Sequence, residues 1–372
     1  MNLLAIETSC DETAAAVVAE TGEAARPWAV RSSVVASQVE IHREWGGVVP
    51  ELASRQHLRD ICGVVERALQ DAGATWSDVG AVAVTQGPGL IGSLLVGVAF
   101  AKAVCAARGL PLVPVHHLAG HIESLVLHNG PLPLPAVVLV VSGGHTSLYH
   151  VPVEGDYRLV GKTRDDAAGE AYDKVAKLLG LGYPGGPVID RLAQGGNDRA
   201  VAFPIARITH DDRVAGPPRG VPGIFGKSLR WRADFSFSGV KTAVLRYVKR
   251  REAARFEERG GRAEGPLFSE QEIADICASF QRAVVEALLD RTFEAARWFS
   301  ARSIGIAGGV SANTRLRREA EARGELAGLP VFLPSFALST DNAAMIAAAG
   351  LRRFHAGVRA AADLNADAAL PL

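Results

Sequence analysis

The chain has no charge of one sign to spare. Forty lysines and arginines offset 40 aspartates and glutamates over 372 residues, a formal net charge of zero. No global field draws it to nucleic acid, so any contact with RNA has to be local. Cysteine is scarce. Cys10, Cys62, Cys105 and Cys277 stand apart without a Cys-x-x-Cys, a usage that suits a reduced cytoplasm. Cys10 falls in a turn, where a small residue is the plainer reading and a reactive thiol the alternative. There is no long unbroken apolar run either. The most apolar stretch, Leu90 to Ala107, is interrupted by Gly92, Gly97 and Lys102 and reads as buried packing, so no membrane is expected. Met1-Asn2-Leu3-Leu4 lacks the basic start of a secretion signal, and a cytoplasmic protein is expected. Also missing are the Gly-x-Gly-x-x-Gly fingerprint and the P-loop, which disfavours dinucleotide dehydrogenases and P-loop ATPases.

What is present begins with two histidines, His117 and His121. On a helix, positions i and i+4 share a face, and two imidazoles can close on one cation with coordination positions left open. Leu118, not glutamate, follows the first histidine. The general base of a zinc peptidase helix is therefore absent. Two partly exposed polar residues on a helix are the plain alternative.

An internal repeat strengthens the metal reading. The strand, threonine turn and strand of Leu3–Val18 are matched by Val137–Tyr149. The strand, glycine turn and helix from Ala81 are matched from Ser303, and the Leu-Pro strand and helix from Leu110 are matched from Leu329. The chain therefore reads as two similar halves, too long for one ordinary core. If they face each other, the helix opened by His117 and His121 lies opposite the one opened by Asp341. Two imidazoles and a carboxylate form a mixed-ligand set that leaves positions for phosphate or carboxylate oxygens.

The glycine turns carry the nucleotide argument. In Ser142-Gly143-Gly144-His145-Thr146 the glycines let backbone amides approach an anion. Gly308-Gly309-Val310-Ser311-Ala312-Asn313 follows a strand and starts a helix, with the Asn313 amide available to a nucleoside. A third cluster runs from Asp165-Asp166 through Glu170, Asp173 and Lys177 to Gly185-Gly186-Pro187 and Asp190. Its carboxylates can bind ribose hydroxyls or simply open helices. The local RNA surface is expected between Arg230 and Arg262, where Arg230, Arg232, Lys241, Arg246, Lys249, Arg250, Arg251 and Arg255 mix with Trp231 and Tyr247.

Ile6-Glu-Thr-Ser-Cys-Asp-Glu-Thr13, His117-x-x-x-His121, Val141-Ser-Gly-Gly-His-Thr146, Asp165-Asp-Ala-Ala-Gly-Glu-Ala-Tyr-Asp-Lys174, Tyr183-Pro-Gly-Gly-Pro187 and Gly308-Gly-Val-Ser-Ala-Asn313 together resemble the bacterial branch of the tRNA adenosine threonylcarbamoyltransferase family, formerly described as O-sialoglycoprotein endopeptidases. The resemblance covers nearly the whole chain. It implies an α/β chain with the duplicated actin, Hsp70 and hexokinase fold, two lobes around a nucleotide cleft. It also implies transfer of threonylcarbamoyl from threonylcarbamoyl-AMP to N6 of adenosine 37 in tRNAs reading codons that start with A, with release of AMP. By the same resemblance His117, His121 and Asp341 hold one divalent metal, iron first and zinc as the alternative. Val140, Val141, Ser142, Gly143 and Gly144 contact the adenylate, and Asp173, Gly186, Asp190 and Asn313 line the nucleoside end. Implied partners are tRNA, a shorter paralogue of the same fold and a small P-loop ATPase. The lobes are expected at 1–115 and 116–372, with insertions near 207–226 and 252–266. A metallopeptidase, or a kinase or ATP-binding scaffold of this fold, are the competing classes.

Overall fold

The computed structural model describes residues 1–205, 233–258, 266–361 and 363–372. The expected insertion 207–226 lies outside them, as do 259–265 of the second and Arg230, Trp231 and Arg232 of the basic stretch. The first half contains β1 (Asn2–Glu7), β2 (Glu12–Glu20), β3 (Trp28–Ser37), α1 (Val39–Arg43), α2 (Pro50–Asp71), β4 (Val79–Gly87), α3 (Ile91–Arg108), β5 (Leu112–His116) and α4 (His117–Asn129). The second contains β6 (Ala136–Val141), β7 (Thr146–Val151), β8 (Arg158–Lys162), α5 (Ala168–Leu178), α6 (Gly185–Ala193), α7 (Ser238–Glu258), α8 (Glu270–Trp298), β9 (Ser303–Ala307), α9 (Thr314–Ala327), β10 (Val331–Phe332), α10 (Phe336–Ser339) and α11 (Ala343–His355).

The repeat is real at the level of topology. The first sheet runs β3-β2-β1-β4-β5 and the second β8-β7-β6-β9-β10, so every strand has a counterpart in the same place. In both, a three-strand antiparallel meander leads into parallel partners. Crossover helices cover both faces of the parallel part, which is why β6 can be an unbroken buried run, Ala136-Val-Val-Leu-Val-Val141. On the outer face of the first sheet, Val64, Val65 and Ala68 of α2 and Val98, Ala101 and Cys105 of α3 pack on Leu4, Ile6, Val82 and Val84. Helix α3 is apolar and long enough to cross a bilayer by composition. Here it uses one face to cover the sheet and leaves Ile91 and Leu95 exposed.

The inner faces are covered by an exchange. Helix α4 follows β5, yet Leu118, Ile122 and Leu125 pack on Ala136, Val138 and Val140 of the second sheet. Helix α11 follows β10, yet Ala343, Ala344, Ile346 and Ala347 pack on Leu3, Ala5, Ala81 and Ala83 of the first. The two helices therefore lie against each other at the middle of the molecule. Gly120 sets how closely: a Cβ there would stand 2.8 Å from Ile346 Cδ1, inside van der Waals contact.

Candidate metal and nucleotide site

Strands β1, β4 and β5 run parallel, and so do β6 and β9. In open α/β sheets, ligands collect outside the carboxyl ends of such strands. Glu7 ends β1, His116 ends β5, Val141 ends β6 and Ala307 ends β9, so the His117 segment and both glycine turns leave strand ends of this kind, whereas the Asp165–Asp190 cluster follows the antiparallel strand β8.

His117 and His121 stand on the first and second turns of α4, and Asp341 lies just before Asn342, whose Oδ1 accepts from Met345 N at 2.9 Å and caps α11. The helix exchange brings the three together. One ligand atom from each lies within 4.8 Å of the others. Asp341 Oδ1 is 3.2 Å from His121 Nε2 and 3.6 Å from His117 Nε2, and the imidazole centroids are 4.7 Å apart. His121 Nδ1 is buried with no hydrogen-bond partner among the described residues, and Nε2 faces the carboxylate of Asp341. A cation held between Nε2 and that carboxylate would satisfy lone pairs on both. The donor set therefore fits a divalent metal.

Glu7, which spacing in the sequence does not mark, completes this centre. Fully buried, it accepts from His117 Nδ1 at 3.0 Å, Thr85 Oγ1 at 2.7 Å and Ser9 N at 2.5 Å. A carboxylate only accepts, so His117 carries its proton on Nδ1 and turns Nε2 toward Asp341, the carboxylate–histidine arrangement found behind metal ligands. The electrostatics ask for a cation. Burial opposes charge on His117, but Asp341 and Glu7 outweigh it and raise its pKa to about 9. Burial likewise works against Asp341 and Glu7, and the His117 imidazolium holds both below the usual carboxylate range. Glu12 is pushed well up by burial, then by Asp341 and Asp11. The Cys10 thiol, in the turn between β1 and β2, is raised by burial and by Asp11. His145, its ring 6.4 Å from that of His117, is lowered to about 4 by burial and by the charge on His117 and His121.

The adenylate side follows from the two glycine turns. Gly143 and Gly144 are exposed, with open space where a Cβ would stand. Among the described residues neither amide has an internal acceptor, leaving two donors at the end of β6 for an anion. Around them the turn is fixed: His145 N donates to Ser142 Oγ at 3.2 Å, and Gly169 N of α5 to Ser142 O at 3.2 Å. Asp173 Oδ1 accepts from Gly185 N at 2.7 Å, and Gly186 lies at the same helix start. Asp190 accepts from Gln281 Nε2 at 3.1 Å and Thr314 Oγ1 at 2.9 Å. Gln281 Oε1 accepts in turn from Asn313 Nδ2 at 2.8 Å. The structure thus joins Asp190 and Asn313 through Gln281. Asn313 Oδ1 caps α9 by accepting from Leu316 N at 2.9 Å, so this amide is more engaged than the sequence suggests. Asp165 and Asp166 are not free for ribose at all. Asp165 accepts from Phe237 N at 2.8 Å and Ser238 N at 3.3 Å at the start of α7, and Asp166 is paired with Lys174 and Lys241. The basic stretch thins too. Arg251 and Arg255 are paired with Glu272, and Tyr247 stacks on Phe268, leaving Arg246, Lys249 and Arg250 exposed.

A duplicated α/β molecule, with His117, His121 and Asp341 gathered where its halves meet, has the fold of the actin, Hsp70 and hexokinase class. HypF, solved full length in a phosphate- and nucleotide-bound form, shares the fold. Its TM-score is 0.55 at 13% identity, covering 95% of this chain and 46% of that one. Within that class, the family model described as TsaD: tRNA N6-adenosine threonylcarbamoyltransferase matches residues 29–348, and the chain belongs to this family. A protein named tRNA N6-adenosine threonylcarbamoyltransferase from Koribacter versatilis is 49% identical over 100% of this chain and 98% of its own. One of the same name from Anaeromyxobacter dehalogenans is 51% identical over 99% and 98%.

Proposed function

We infer that this chain is an acyltransferase that moves threonylcarbamoyl from threonylcarbamoyl-AMP to N6 of adenosine 37 in tRNAs reading codons that begin with A, releasing AMP. The observation that carries this reading is identity near one half to transferases of that name along essentially the full length of both chains. The site's chemistry agrees. The donor is a mixed anhydride whose AMP leaves readily, so catalysis rests on positioning and on holding developing charge.

In this reading His117, His121 and Asp341 hold one divalent ion, iron first and zinc second. Such an ion would polarise the carbamoyl carbonyl or neutralise the phosphate. The strand end Val140-Val141-Ser142 presents Gly143 and Gly144, whose amides donate to the departing phosphate. Asp173, Gly186, Asp190 and Asn313 form the nucleoside wall. His145, Glu12 and the substrate phosphate are the candidates for taking the N6 proton; burial favours the protonated form of Glu12 and so argues for His145 or the phosphate. The lobes divide near residues 115 and 116, with α11 crossing back to the first. The exposed apolar residues Ile91 and Leu95 on α3 and Leu58 on α2 suit docking of a shorter paralogue of the same fold. A small P-loop ATPase joins that pair, and the work is cytoplasmic.

The test uses purified chain, unmodified tRNA, threonylcarbamoyl-AMP and those two partners, followed by digestion of the tRNA and mass analysis of its nucleosides. Threonylcarbamoyladenosine is expected with the wild type. It should be absent with His117→Ala, which should lose its metal and remain folded. Peptide cleavage or phosphoryl transfer in place of the modified nucleoside would overturn the reading.

A further inference from the structure

After α11 the chain runs back across the first half and is tied to the strands whose ends form the site. Asp367 N donates to Gln86 O at 2.9 Å, Gly89 N to Ala368 O at 3.3 Å and Lys102 Nζ to Leu364 O at 2.9 Å. A Cβ on Gly87 would lie 1.9 Å from Asp367 O, so only glycine at that strand end admits the segment. The turn it clasps leads to the metal group: Leu90 N donates to Ser9 O at 2.8 Å, and Ser9 Oγ lies 3.1 Å from His117 Nδ1. A second tie is more direct. His116, buried beside His117, has Nε2 2.9 Å from Leu370 O and Nδ1 3.1 Å from Leu118 N. A carbonyl only accepts and a backbone amide only donates, so one neutral tautomer fits both: Nε2–H donates to Leu370 and Nδ1 caps the first turn of α4.

We propose that the segment Leu364–Leu372 is part of the metal site's frame, and that His116 is a positioning residue through which the Leu370 carbonyl fixes the aim of His117 and His121. The inference rests on the metal reading above and not on the identity of the acyl donor or the RNA. Asp341 belongs to a different helix, so any rotation of the first turn of α4 moves both imidazoles relative to it. Asparagine at 116 keeps only the cap: Oδ1 stands where Nδ1 does and accepts from Leu118 N, while Nδ2 ends a bond short of Leu370 O. Alanine keeps neither bond.

The experiment strips the protein of metal, loads cobalt(II), and reads the visible absorption of the bound ion and its rate of loss to a chelator. The set is wild type, His116→Ala, His116→Asn, a chain stopped after Asp367, and that truncation combined with His116→Ala. Alanine and the truncation should each shift the cobalt spectrum and weaken retention by about tenfold or more, the usual size for an outer-shell partner. Asparagine should resemble the truncation, because it too loses the Leu370 bond and keeps the cap. The combination should fall short of the sum of the two single effects, because both remove the His116–Leu370 bond, while alanine alone removes the Leu118 cap and the truncation alone the Gly89–Ala368 bond. A wild-type spectrum and rate in the alanine variant or the truncation would overturn the inference and leave the metal reading standing. So would an asparagine variant that behaves like wild type, or additive effects. A wild type that binds no cobalt removes the metal reading and this inference together. Should the alanine variant fail to fold, the asparagine variant and the truncation decide.

Discussion

His117 and His121 are legible in the sequence because four-residue spacing on a helix is a geometric statement in itself, and Asp341 because it occupies the matching place in the repeat. Glu7 is not. It acts through a hydrogen bond to a side chain 110 positions away, and no local pattern encodes that. Asp165 and Asp166 mislead for the opposite reason: a carboxylate that caps a helix or pairs with lysine looks the same in sequence as one facing a ligand. Glu7→Gln keeps the shape but loses the charge that orients His117. Metal affinity should fall about 10- to 100-fold in a chelator competition, and an unchanged affinity would remove Glu7 from the site. The His117 proton makes a second test. Its folded pKa, about 9, lies above the ordinary histidine value of 6.5. The stability it contributes to metal-free protein is therefore fully present below pH 6.5 and is lost as pH rises through about 9. Thermal midpoints of metal-free protein should drop between pH 7 and 9.5, and a bound metal, which replaces that proton, should flatten the slope. A metal-free midpoint that rises across this window would contradict the assignment.

At the scale of elements, the repeat predicts which strand corresponds to which, and the identical strand order of the two sheets follows it. What the repeat does not reveal is that α4 and α11 cover each other's sheets. A helix that is buried nearly all round, as Leu118 to Val126 of α4 is, carries little amphipathic signal to say which neighbour it meets. Gly120 is where the two helices approach each other closely. Gly120→Ala should destabilise the protein by about 1–3 kcal/mol through overpacking. Ile346→Val, which removes the Cδ1 atom in the way, should restore part of that loss when combined with it. Chemical denaturation of the two single variants and the double closes the cycle, and simple additivity would show that the helices have room to spare.

For the molecule as a whole, joining two halves through exchanged helices means that His117, His121 and Asp341, the candidate metal ligands, come from both. A ligand that bridges the halves should therefore stabilise the entire fold by mass action. AMP with a divalent metal should raise the thermal midpoint more than the separate shifts of AMP and of metal added together. Additive shifts would mean that the nucleotide and the ion occupy unconnected sites. The most direct measurement is anomalous diffraction from crystals grown with iron and AMP. The account predicts one strong peak at about 2.0–2.2 Å from His117 Nε2, His121 Nε2 and an Asp341 oxygen, with the AMP phosphate lying between that ion and the amides of Gly143 and Gly144. A peak elsewhere, or a phosphate bound away from both, would contradict it.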